Sequence, residues 1–108
     1  VPTDVRVEGA EGVRMRMLIG PADGAATFHM RHFAIDPGGR TPHHQHNYEH
    51  EVLVLSGAGL VRGAEGDRPC SAGDVVWIPA NEPHQFVNTG TQPLEFICLI
   101  PASGTCTW

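Results

Sequence analysis

The sequence predicts an all-β domain, a sandwich or barrel, and three observations carry that expectation. Thirteen Gly and nine Pro stand between short apolar runs, a punctuation that implies many turns. The runs read as roughly nine or ten short strands at regular spacing, as sandwiches and barrels require. The same Pro and Gly density leaves no room for a helix of three turns. With 108 residues the chain can enclose a single core, so residues 1–108 read as one domain.

Each element follows from its neighbours in turn. VRMRMLI (Val13 to Ile19) is a strand that stops at Gly20-Pro21, and TFHMRHFAI (Thr27 to Ile35) is one that stops at Asp36-Pro37-Gly38-Gly39. EVLVLS (Glu51 to Ser56) reaches Gly57-Ala58-Gly59, and GLVRG is expected as its hairpin partner. Ala64 to Asp67 turns the chain before a weak strand around Arg68 to Cys70, and Ser71 to Asp74 breaks it before VVWI (Val75 to Ile78). HQFVN (His84 to Asn88) follows a Pro-flanked loop, and LEFICLI (Leu94 to Ile100) is closed by Pro101. Gly and Pro are the strongest local breakers, which is why the divisions fall there. The terminal ASGTCTW leaves two readings, a loose end or a tail docked through Trp108.

Composition narrows the function. A net charge of −5 argues against nucleic acid or an anionic membrane as partner. No apolar run approaches the ~20 residues of a membrane span, and VPTDVRVEGAEG lacks the apolar segment of a signal peptide. Cys70, Cys98 and Cys106 are odd in number and form no CxxC, so a reducing cytoplasm is the expected location.

The chemistry concentrates in the histidines. Four of the seven fall within TPHHQHNYEH, and His84 stands apart after a long gap. Neutral imidazole is the commonest protein donor to transition metals. In an extended chain residues two apart point the same way, so His44 and His46 aim together while His43 and Gln45 face away. His50 keeps that parity and leads into Val52 and Val54, with Glu51, Leu53 and Leu55 on the other face. His84, opening its own strand, is a natural fourth ligand. The competing reading is a polar loop rich in His, and it holds for His43, His29 and His32. His29 is a partial exception, because the parity of His29, Arg31, Phe33 and Ile35 points inward.

These residues resemble the cupin superfamily. Its first motif, G-x5-H-x-H-x3,4-E-x6-G, is met by Gly38, His44, His46, position 50 and Gly57. Its second, G-x5-P-x-G-x2-H-x3-N, is met by Gly73, Pro79, His84 and Asn88. Two departures stand out. Position 50 is His where the pattern has Glu; Glu51 is an alternative under the longer spacing, but the count to Gly57 and the strand parity favour His50. Asn81 replaces a Gly, and Asn tolerates the left-handed backbone that Gly serves. The pattern HxHxxEHExxVLxG with PxNExHxFxN is similar to the small single-domain, four-His cupins, which include manganese-binding members with oxidative alkene-cleaving activity. The resemblance implies a jelly-roll barrel, with motifs at residues 38–57 and 73–88, and one metal on His44, His46, His50 and His84.

Four imidazoles carry no charge, so a bound M²⁺ keeps its Lewis acidity and favours anionic ligands. An octahedral ion would retain two open positions, whereas tetrahedral Zn would be filled. For an enzyme Mn or Fe therefore suits better than Zn; the resemblance implies Mn first, with Fe, Ni, Cu or Zn as alternatives. The expected function is a metal-dependent, dioxygenase-like oxidoreductase acting on a small organic substrate with O2. The alternatives are a non-redox isomerase or lyase and a non-catalytic binding module. Arg31, Tyr48 and Cys98 are the catalytic candidates, as anion binder, acid and soft neighbour of the metal. Phe33, Val52, Val54, Phe96 and Ile100 are expected to line an apolar pocket, and Trp77 and Phe86 to sit in the core. A homodimer paired through the N-terminal VRVEGAEGVRMRMLI would cover exposed sheet edges.

Overall fold

The computed structural model describes residues 2–103, so Cys106, Trp108 and the two readings of the tail lie outside the described residues. Nine strands follow in chain order: β1 (Thr3–Asp4), β2 (Glu11–Ile19), β3 (Phe28–Arg40), β4 (His50–Ser56), β5 (Ala58–Gly63), β6 (Gly66–Ser71), β7 (Val75–Ile78), β8 (Gln85–Val87) and β9 (Leu94–Pro101). One 3₁₀ turn (Pro21–Asp23) separates β2 from β3. The sheet runs β6-β5-β8-β3-β9-β4-β7, with β1 and β2 branching from β3. That continuous curl is the jelly-roll, and it places both histidine-bearing segments at one end. No helix among the described residues is long and apolar enough to cross a membrane.

Alternation decides which side chains enter the barrel. On β3, His29, Arg31, Phe33 and Ile35 are buried, and on β9, Leu94, Phe96, Cys98 and Ile100 are. His50, Val52 and Val54 of β4 point the same way, while Glu51, Leu53 and Leu55 are exposed. The centre is filled by aromatic rings: Phe33 lies 5.2 Å from Phe96, and Phe86 lies 4.5 Å from Phe96, both stacked. Such offset pairs add to the burial of area that drives the fold.

Three expectations are corrected. The Asp36–Gly39 segment bends β3 rather than ending it, so the strand runs on to Arg40 and reaches both β9 and β8. Gly39 permits the bend, since a Cβ there would stand 2.5 Å from the Glu11 carbonyl oxygen. β5 is not the hairpin partner of β4: it pairs with β6 and β8, while β4 pairs with β7 and β9. Gly57, at φ 85°, turns the chain across the corner of the barrel instead, with no space for a side chain beside the Pro93 carbonyl. Trp77 is 60% exposed, because β7 turns Val76 and Ile78 toward the barrel and Val75 and Trp77 outward. Phe86 is in the core as expected.

Candidate metal centre

The loop between β3 and β4 is held to the start of β8 by its backbone. His44 and His84 exchange two bonds, N to O at 3.0 and 2.8 Å. Thr41, fully buried, accepts from the Phe86 amide through its hydroxyl at 2.9 Å and from Gln85 Nε2 through its carbonyl at 2.9 Å. The Asn81 amide donates to the His46 carbonyl oxygen at 2.6 Å, and Asn81 holds φ 66°, the left-handed backbone that the family pattern gives to Gly. Below the loop, buried Asn88 donates to the carbonyls of Ile35 and Gln92, both at 2.8 Å, and accepts from the Gly90 amide at 2.9 Å. These bonds fix the two segments against each other before any metal is considered.

Three imidazoles converge there. His46, His50 and His84 place one ring nitrogen each within 4.8 Å of one another. Their ring centroids are 4.8 Å apart for His50 and His84, 5.2 Å for His46 and His50, and 5.7 Å for His46 and His84. His84 Nδ1 lies 3.0 Å from the Glu82 carbonyl oxygen. A carbonyl can only accept, so Nδ1 carries the proton and Nε2 presents its lone pair, as a metal-binding His requires. His50 is 2% exposed, and both of its ring nitrogens are buried without a hydrogen bond. An unsatisfied buried donor–acceptor pair costs ~1–3 kcal/mol, and a coordinated cation would remove that cost.

The electrostatics agree with ligation. Burial holds the His50 pKa down at about 3, with the charges of His84, Arg31 and His46 adding to the effect. Burial likewise lowers His46 to about 4, with His84, His44 and Arg31 contributing. His84 is lowered as well, chiefly by burial. All three are neutral at pH 7, and neutral imidazole is the ligating form. The donor set therefore fits a divalent transition metal.

His44 stands beside this triangle rather than within it. Its ring is 5.4 Å from that of His46, edge to face. His43 is exposed, and so is Glu51, whose side chain points away from the site that His50 enters. His29 is buried but turns Nε2 to the Ala25 carbonyl oxygen at 3.3 Å, and His32 pairs with Glu95 at 2.9 Å on the outer face.

The three catalytic candidates are all buried. Arg31 is 1% exposed, donates from Nη2 to Cys98 Sγ at 3.4 Å, and lies 5.0 Å over the Phe33 ring. Tyr48 stacks on His46 at 5.1 Å with the rings 8° from parallel, and its ring is 5.2 Å from His50. From the sequence Tyr48 carries two readings, an acid near the metal and packing at the rim, and the structure sets it against His46 and His50. The signal was present, since Tyr48 shares the parity of His46 and His50. The five residues expected to line an apolar pocket, Phe33, Val52, Val54, Phe96 and Ile100, are all packed core. Two of them also border surface grooves, Val52 one of about 480 Å³ and Ile100 one of about 560 Å³ that reaches Tyr48, Phe28, Ala80 and Leu99 at the rim.

Residues 31–100 match the family described as Cupin domain. A 1-methylthio-D-xylulose 5-phosphate methylsulfurylase of Rhodospirillum rubrum is 30% identical over 76 residues, 70% of this chain and 49% of the relative. An oxalate-binding protein of Thermotoga maritima is 36% identical over 67 residues, 61% of this chain and 55% of the relative. The chain thus spans about half the length of these two curated relatives. Among solved structures, the polyketide cyclase RemF of Streptomyces resistomycificus superposes with a TM-score of 0.91 at 32% identity, covering 98% of this chain and 76% of that one. A structure described as a predicted oxalate decarboxylase of Thermotoga maritima gives 0.83 at 28%, covering 93% and 90%.

Proposed function

Because the chain belongs to the cupin family, we propose that it is a metal-dependent enzyme acting on a small, oxygen-bearing organic molecule. The observation that carries this reading is the convergence of His46, His50 and His84 at the mouth of the barrel, three neutral imidazoles of which His50 and His84 are buried and His46 half-buried. In this reading His44 completes the set as a fourth ligand from the same face, and the metal is Mn or Fe. A bound divalent ion supplies Lewis acidity to an oxygen donor and, if redox-active, access to O2.

The chain's own residues shape what can bind beside that ion. The Arg31 guanidinium, buried on β3, biases the interior toward an anionic group such as an enolate or carboxylate. Cys98, held by Arg31, offers a soft, weakly polar wall. Tyr48 closes the side of the site that faces the rim groove, and its stacking on His46 orients that ligand. Among the described residues no Asp or Glu belongs to the histidine cluster, so the ligand set itself carries no negative charge.

The first reading of the reaction is oxidative, a dioxygenase-like cleavage of an enolisable or unsaturated substrate. A second reading, a non-redox cyclisation, lyase or isomerase step through a stabilised enolate, is favoured by the likeness to the polyketide cyclase over almost the whole chain. The two separate in one assay. Metal-loaded protein is incubated with a panel of 1,3-dicarbonyl and unsaturated acids while O2 and substrate are both followed. Oxidative chemistry consumes O2 with substrate and stops under nitrogen. Turnover that persists under nitrogen overturns the oxidative reading in favour of the second. Absence of turnover with and without O2 counts against both.

A further inference from the structure

Packing decides where the bulk of a substrate can lie. Beneath the imidazoles the barrel is filled by Phe33, Val52, Val54 and Phe96, none of them more than 3% exposed. An interior packed in this way takes no guest without displacing side chains. Open volume adjoins the metal centre at the rim instead, in the groove of about 560 Å³ between the start of β3 and the end of β9. That size falls within the roughly 300–1,000 Å³ of ordinary ligand pockets. Phe28, Ala80, Leu99 and Ile100 form its apolar walls, and Tyr48 belongs both to it and to the metal site. The Tyr48 ring lies 5.1 Å from that of His46 and 5.2 Å from that of His50. The groove therefore begins one ring's width from the ligands.

We propose that this groove is a substrate subsite, and that it takes an uncharged aryl group of a molecule whose carboxylate end lies on the metal side of Tyr48. The inference rests on the metal-dependent reading above and adds to it the class of substrate. Charge sets the direction of binding. At the inner end stands the buried Arg31 guanidinium, whose charge acts on His46 and His50. At the outer end Glu49 and Glu51 border the groove. The Trp77 indole holds Glu49 there, donating from Nε1 to Oε1 at 3.1 Å. An anionic group is therefore drawn inward and repelled from the groove, so the part of the substrate that fills the groove is the part without negative charge. Phe28 is 61% exposed, and Leu99 is half-buried. A flat ring laid against them removes apolar area from water on both sides of the contact. A bare small acid would satisfy the inner end and leave the groove empty.

Calorimetric titration of the Mn²⁺-loaded protein with lactate and with 3-phenyllactate tests this without turnover. The two acids offer a metal the same hydroxyl and carboxylate and differ by one phenyl group. 3-Phenyllactate should bind roughly tenfold tighter or more, the scale of burying one ring. Ala80→Trp fills the groove and Phe28→Ser removes part of its wall, so each should bring the ratio of the two affinities toward one, with metal content measured alongside. A carboxylate added at the para position of the ring should cancel the gain, and Glu51→Gln should return part of it. Equal affinity of the wild type for the two acids overturns the proposal and leaves the metal centre standing. A phenyl preference that survives both Ala80→Trp and Phe28→Ser does the same. Protein that holds no metal, or that binds neither acid, overturns the proposal together with the reading it rests on.

Discussion

His50 condenses the chemistry of the site into one side chain. The family pattern has Glu at this position, and a His there removes a negative charge from the ligand set. Its ring is buried by the barrel wall, which makes protonation costly and keeps its pKa at about 3 in the metal-free chain. The unfolded chain titrates at the ordinary value near 6.5. Between these values the unfolded state binds more protons than the folded one, so folding weakens as pH falls. The stability of the metal-free protein should be fully present above about pH 6.5 and decline toward pH 3. The limiting slope from His50 alone is about 1.4 kcal/mol per pH unit, and His46, partly exposed, adds less. Urea midpoints measured from pH 8 to pH 4 check this, and His50→Asn should flatten the profile. A midpoint unchanged between pH 7 and pH 4 would contradict the account of burial.

At the scale of elements, the chain's period-2 alternation was the most legible feature. It assigned the inward face of β4 and so placed His50, Val52 and Val54. On β3 and β9 it grouped Arg31 with Phe33 and Cys98 with Phe96 but left open which face turned inward, and the structure buries both sets. Alternation could not assign Trp77, because VVWI is apolar on both faces and contains no polar residue to mark the outside. Local turn signals misled at two places for one physical reason. Gly38-Gly39 and Gly57-Ala58-Gly59 look like chain reversals, yet in the barrel they serve close backbone approach and a crossing between sheet halves. The distinction depends on non-local neighbours, the Glu11 and Pro93 carbonyls, which no short window contains. Gly57→Ala should therefore cost about 2–4 kcal/mol, since it combines a disfavoured φ with a clash against backbone. Thermal or urea unfolding measures it. A cost below about 1 kcal/mol would mean that the corner can relax and that Gly57 does not direct the crossing.

For the whole molecule, the fold and family were legible because two motifs bring distant segments into one frame. The histidine triangle depends on the same frame, with His46 and His50 from the loop entering β4 and His84 from the start of β8. The sequence counted His44 with the ligands by its parity, whereas its ring stands beside the triangle of His46, His50 and His84. The exterior apolar face that carries Trp77 was hidden, since it depends on how the sheets curl in three dimensions. The most direct measurement is the metal content of protein purified without chelator or nickel affinity, compared among wild type, His50→Ala and His44→Ala. The account predicts close to one transition-metal ion per chain in the wild type. His50→Ala should lose affinity by more than the ~10–100-fold that removal of a ligand's supporting partner costs, and His44→Ala should lose it to a smaller extent. No bound metal, or occupancy and affinity unaffected by His50→Ala, would contradict the metal centre and leave the barrel without its proposed chemistry.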